Sequence, residues 1–263
     1  MLRSAFTLCL LATLAGCSTS PLGRQQLKLM PDAEVQQMGL QSFNQMKKDT
    51  PISNDKKQNT YVSCVAQKVV AEIPSQYGKQ AWEIVVFKSD DANAFALPGG
   101  KIGVYTGLLK VAKNQDQLAA VIGHEVGHVL AGHSNERLST QYVTQAGLSI
   151  ASAAAGTNQN SQQMLQLLGV GAQYGVILPF SRTQESEADL IGLDLMASAG
   201  FNPEQSISLW QNMSKEGGAT PPELLSTHPA PAHRIDNLRA RLGVATPLYQ
   251  QARAQGKQPN CKI

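Results

Sequence analysis

The sequence predicts an α+β domain, mostly helical, in which a small mixed sheet with a hairpin lies beside one buried helix. Three observations carry that prediction. Apolar side chains recur at helical spacing over several long runs. One short segment, Trp82 to Phe87, is rich in valine, isoleucine and aromatic residues, and two further extended segments follow it, joined by Pro98-Gly99-Gly100. The third is His124-Glu125-Val126-Gly127-His128, set within the apolar run from Gln117 to His133.

Taken from the start, Arg3, the apolar run Ala5 to Leu14 and the closing Leu14-Ala15-Gly16-Cys17 read as a lipoprotein-type signal over residues 1–16. Cys17 is then the acylated new N-terminus, and several acyl chains on one residue give stable anchoring. Residues 17–30 are expected as a lipidated, irregular tether. Residues 31–245 form the domain and 246–263 a polar tail. With 22 basic against 19 acidic residues and no basic block, nucleic acid is not an expected partner. Cys64 and Cys261 are left after the signal and the lipid site. In an oxidising compartment they are expected to pair, the alternative being one buried thiol and one loose tail thiol.

Asp32 to Lys48 is expected as a first helix behind Pro31, with Val35, Met38, Phe43 and Met46 on its apolar side. A second begins at Asn54 or Asp55 and runs to about Ile73. After the Trp82–Phe87 strand, Asn93, Ala94, Phe95 and Ala96 form a strand whose small side chains would let another extended chain approach, as when a peptide adds to a sheet edge. A plain structural hairpin is the alternative. On the helix that follows, His124 and His128 are four apart and share a face, so both imidazoles can reach one metal ion. Glu125 beside them is placed to act as general base toward water. Gln141 to Gly156 and Met164 to Leu178 are two further apolar runs, neither reaching the ~18 residues of a spanning helix. Together, 141–178 reads as a helical hairpin near the site, either a lid or ordinary core.

A further helix opens at Phe180-Ser181 and continues to Gly200. Glu185 and Asp189 share one of its faces, the spacing needed for a carboxylate ligand and a second carboxylate that hydrogen-bonds a ligand histidine. Glu187 points the other way and is expected in solvent. His133 competes with Glu185 as third ligand. On a continuous helix, though, it lies about 140° round from His128, and Ala131 and Ser134 break the HExxHxxGxxH pattern that would use a third histidine.

Four motifs in order, Asn93-Ala94-Phe95-Ala96 with Pro98-Gly99-Gly100, the HEVGH helix, Glu185-x-x-x-Asp189 and Thr227-His228-Pro229 with Arg234, resemble the gluzincin metallopeptidases that include HtpX, the CAAX prenyl protease, BepA and LoiP. The resemblance covers roughly Asn54 to Leu242. It implies a zincin-like fold and one zinc ion per chain on His124, His128 and Glu185, with Glu125 as base and Asp189 supporting a ligand. His228 and Arg234 are candidate donors to the oxyanion. By resemblance to BepA, His228 is alternatively a latch on the fourth metal position. The expected function is a zinc endopeptidase, lipid-anchored on the periplasmic side of the outer membrane. Its substrates would be unfolded or misassembled envelope proteins, and outer-membrane assembly proteins are candidate partners. The rival expectation is a chaperone or assembly factor with low or latent proteolysis.

Overall fold

A computed structural model describes residues 17–78, 80–155, 180–216, 223–228 and 233–263. The signal segment at 1–16 and the part of the candidate lid from 156 to 178 lie outside the described residues. Among the described residues no helix is long and apolar enough to cross a membrane.

The chain opens with a two-stranded antiparallel ribbon, β1 (Cys17–Thr19) with β2 (Gln25–Leu27). Two helices follow, α1 (Asp32–Asp49) and α2 (Lys56–Val70), the second capped by the Asp55 carboxylate on the amides of Lys57 and Gln58. The sheet comprises β3 (Glu83–Phe87), β4 (Ala94–Leu97) and β5 (Lys101–Tyr105), in the order β3-β5-β4. β5 is parallel to β3 and antiparallel to β4. Next come α3 (Leu108–Val111), α4 (Gln115–Leu130) and α5 (His133–Ala155), then α6 (Arg182–Ser198), α7 (Gln205–Glu216), α8 (Glu223–Thr227) and α9 (Arg234–Ala254).

The sheet is covered on both faces, which explains the composition of β4. Phe95 and Leu97 point to an aromatic cluster with Phe43 of α1, Phe87 and Tyr105. Ala94 and Ala96 alternate to the other face and belong to the main core with Leu118, Ile122 and Val126 of α4. Small side chains there let the metal-binding helix lie close to the strand. Among the described residues β4 is an edge strand of this sheet.

Two expectations about the chain ends change. The segment expected as an irregular tether is the ribbon, and it is docked: the Leu29 amide donates to Ser139 Oγ at 2.8 Å, and Asn135 Nδ2 to the Met30 carbonyl at 2.8 Å. The boundary at 245/246 falls inside α9, which continues through Pro247 to Ala254. Proline removes one backbone donor, but buried Ala245 and Ala252 on either side keep this helix on the core. Beyond it the chain doubles back. Cys261 is disulfide-bonded to Cys64 of α2, and Gln115 Nε2 donates to the Pro259 carbonyl at 2.9 Å.

Candidate metal centre

The site is made where α4 crosses α6. No side chains separate the two backbones at the crossing: a Cβ on Gly192 would lie 2.5 Å from the His124 nitrogen, and one on Gly127 would lie 2.8 Å from the Ala188 carbonyl oxygen. Glycine at these positions permits an approach that any side chain would prevent. The crossing sets Glu185 and Asp189 of α6 against His124 and His128 of α4.

His124, His128 and Glu185 present their ligand atoms to one point, joined by His228, which follows α8. All four donor atoms lie within 4.8 Å of one another, and all four residues are buried. Glu185 is 3.4 Å from Nε2 of both His124 and His128, and 3.0 Å from His228 Nδ1. Burial alone would raise the Glu185 carboxyl. The hydrogen bonds of His124, His128 and His228 outweigh it and hold the group ionised, well below the usual carboxylate range. Burial pushes the His128 imidazole well down, which keeps it neutral and ready to ligate. Three imidazoles and a carboxylate within this span suit one zinc ion.

His124 and His128 are each backed on the far nitrogen. His124 Nδ1 is 2.8 Å from Asp189 Oδ1, and Arg234 holds that carboxylate through Nε at 2.6 Å. The same guanidinium donates to Glu185 at 2.8 Å and stacks on Trp210, 3.7 Å from the ring centroid. Arg234 was expected as an oxyanion donor. Its Nε and Nη2 are taken by Asp189 and the ligand Glu185, while Nη1 has no hydrogen-bond partner among the described residues. Trp210 carries no sequence signal for this position.

His128 is backed differently, and here two further expectations change. Gly132 takes a positive φ of 68° and separates α4 from α5, so the helix assumed continuous through His133 is broken. The turn returns His133 against His128, Nδ1 to Nδ1 at 2.8 Å. His133 does not join the donor group. Its Nε2 reaches Glu187 at 3.2 Å. Glu187, expected in solvent, is buried because the ribbon covers it: Ser20 Oγ and Arg24 Nε both donate to its carboxylate.

The general-base candidate stands beside the donors. Glu125 is buried, and desolvation pushes its carboxyl up. Among the described residues its Oε1 has no hydrogen-bond partner, and it lies 3.5 Å from His228 Nε2. A buried acceptor left open beside a donor cluster is placed to receive a proton. Phe180 stacks on His128 at 3.9 Å between centroids, an aromatic wall the sequence did not announce. A cleft of about 600 Å³ lies beside the N-terminal ribbon, lined in part by Ser18 to Pro21, Gln36, Tyr77 and Pro98-Gly99; of the donor group only His128 borders it.

A model of peptidase family M48 matches residues 56–242. The mitochondrial metalloendopeptidase OMA1 of Schizosaccharomyces pombe is 40% identical over 177 residues, 66% of this chain and 50% of its own length. The Saccharomyces cerevisiae protein of the same name is 36% identical over 180 residues, 65% of this chain and 50% of its own. The beta-barrel assembly-enhancing protease of Escherichia coli K12 is 29% identical over 263 residues, 95% of this chain and 50% of its own. The chain thus spans about half the length of these relatives.

Proposed function

We propose that this chain, which belongs to peptidase family M48, is a zinc-dependent endopeptidase, lipid-anchored through Cys17 to the outer membrane and facing the periplasm. On this reading it hydrolyses misfolded or misassembled envelope proteins. The observation that carries the reading is the placing of Glu125, buried with an open oxygen, beside the buried group of His124, His128 and Glu185.

His124, His128 and Glu185 would hold the ion, and a bound zinc supplies a Lewis acid that lowers the pKa of water and polarises a carbonyl. The remaining steps belong to the chain. Glu125 takes the proton from the attacking water, keeps it in a desolvated site that favours the protonated form, and delivers it to the leaving amine. The edge of β4, with Asn93 to Ala96, holds the substrate as an added strand. His228 fits a latch better than an oxyanion donor, since its Nδ1 already belongs to the donor group and completes four donors. Four protein donors close a zinc site, so the latch must leave before substrate enters. That closure also favours a second reading, an assembly factor for outer-membrane proteins in which proteolysis is latent.

The envelope placement is supported by the Leu14-Ala15-Gly16-Cys17 sequence, by the Cys64–Cys261 disulfide, which suits an oxidising compartment, and by the similarity to the Escherichia coli protein. Degradation of an unfolded protein such as casein tests the activity: it should stop on chelation and return with zinc. A zinc-loaded protein that leaves casein intact, with and without His228→Ala, would overturn the peptidase reading. His228→Ala should raise basal cleavage, whereas an oxyanion donor would lose ~10²–10³ in rate. A labelled fatty acid should be incorporated into the wild type and not into Cys17→Ala; no label on the wild type refutes the anchor.

A further inference from the structure

The two ligand histidines are held in different ways, and the difference leads to the N-terminal ribbon. His128 Nδ1 lies 2.8 Å from His133 Nδ1; if Nε2 of His128 ligates the ion, the hydrogen must sit on Nδ1 and His133 Nδ1 accepts it. His133 therefore carries its own hydrogen on Nε2 and donates to Glu187 at 3.2 Å. Glu187 in turn accepts from Ser20 Oγ and from Arg24 Nε at 2.9 Å. The chain of donors has one direction throughout, from ligand to carboxylate, so each imidazole is fixed in one tautomer and one orientation.

The arrangement parallels the other ligand, where His124 meets Asp189 directly and Asp189 is held by Arg234. In both cases an imidazole ends on a carboxylate held by an arginine. Arg234, however, belongs to the helical core, whereas Ser20 and Arg24 come from a ribbon 163 and more residues away from Glu187 in sequence. Arg24 also pins the ribbon to α5, its two terminal nitrogens donating to Glu136 at 2.5 and 2.7 Å. Gln184 of α6 donates to the same Glu136 carboxylate at 2.7 Å. The ribbon thus closes over the seam between α5 and α6, at the point where the backing of His128 emerges.

We propose that His133 and Glu187 are positioning residues for the metal centre, and that the ribbon Cys17–Leu27, through Ser20 and Arg24, is the strap that sets them. Ribbon docking and metal binding are then coupled. The inference rests on the reading of His128 as a zinc ligand. Coupling is reciprocal by thermodynamic necessity: whatever factor the docked ribbon adds to zinc affinity, zinc adds to docking of the ribbon.

The test uses the full chain, with zinc affinity read by competition against a fluorescent chelator and ribbon docking read by amide hydrogen exchange over residues 17–27. His133→Phe keeps the ring and removes the acceptor, and should weaken zinc about 10–100-fold, the usual cost of losing such backing. His133→Asn restores an acceptor near the Nδ1 position and should recover most of that loss, which a purely structural role would not. The double variant Ser20→Ala/Arg24→Ala leaves the helical core untouched and should weaken zinc about five-fold or more, the low end of measurable coupling. In the wild type, zinc should slow exchange in the ribbon, and in His133→Phe it should not. Zinc affinity in the double variant within about twofold of wild type, with its ribbon released by exchange, would overturn the inference, as would ribbon exchange in the wild type that ignores zinc. A wild type that binds no zinc would instead remove the metal reading on which both proposals stand.

Discussion

Gly192→Ala adds one methyl group at the crossing of α4 and α6, and its consequences can be worked from distances. The new Cβ would lie 2.5 Å from the His124 nitrogen, 2.6 Å from the Gly123 carbonyl carbon and 2.8 Å from its oxygen. Ordinary contact begins near ~3.5 Å, so the helices must part by up to about 1 Å, and every atom in the way is backbone. Overpacking of this kind costs about 1–3 kcal/mol. Replacing a helix-interior glycine by alanine returns roughly 1 kcal/mol, leaving a net loss of about 0–2 kcal/mol. Metal affinity is the sharper readout. Glu185 rides on α6 and the histidines on α4, while ligand distances tolerate only about 0.2 Å. Zinc binding should therefore fall at least about tenfold, the scale of losing a supporting contact, even where folding is little changed. Gly243→Ala is the control: it lies in α9, a Cβ there meets nothing within 4 Å, and the substitution should gain up to about 1 kcal/mol with zinc affinity unchanged. Thermal unfolding in chelator, with zinc competition alongside, separates the two. If Gly192→Ala matches Gly243→Ala in both, the argument from close approach is wrong.

Three other outcomes follow from the same structure. Cys64→Ser/Cys261→Ser should lower stability by about 2–5 kcal/mol in denaturant melts, and a reductant should do the same to the wild type but not to the variant. Burial, with a smaller contribution from Asp116, pushes the Tyr61 hydroxyl up to about 12. A raised folded value favours the protonated form in the native state, so its contribution is whole below pH ~10 and is lost as pH rises toward 12, a fall of about 2–3 kcal/mol that Tyr61→Phe should abolish in alkaline melts. Arg234→Gln leaves Asp189 and Glu185 as buried neighbours without their shared cation, and should cost about 3–5 kcal/mol by chemical denaturation; a loss under about 1 kcal/mol, as for an exposed pair, would refute its placement.

Much of the site was legible because helical spacing encodes it locally. His124 with His128, and Glu185 with Asp189, are each four residues apart, and the structure brings the two pairs to one point. The hairpin was legible from Pro98-Gly99-Gly100, but the alanines of β4, read as room for another extended chain, face α4 in the core instead. What escaped depends on partners remote in sequence. Glu187 reads as solvated until a ribbon more than 160 residues earlier is laid over it. His133 was misplaced by a single residue, Gly132, whose positive φ ends the helix that periodicity extends. Nothing in sequence shows that Arg234 holds two carboxylates, which lie 45 and 49 residues away. Trp210 and Phe180 are apolar residues of ordinary composition, and only packing marks them as walls of the site.

Zinc on the buried group, with Glu125 beside it moving the proton, implies that metal content and cleavage separate in two variants. Both are measured together, on an unfolded protein, for Glu125→Gln and Glu185→Ala. Glu125→Gln should retain one zinc per chain and lose cleavage; Glu185→Ala should lose most of the zinc, and cleavage with it. Full cleavage by Glu125→Gln, or stoichiometric zinc in Glu185→Ala, would contradict the account.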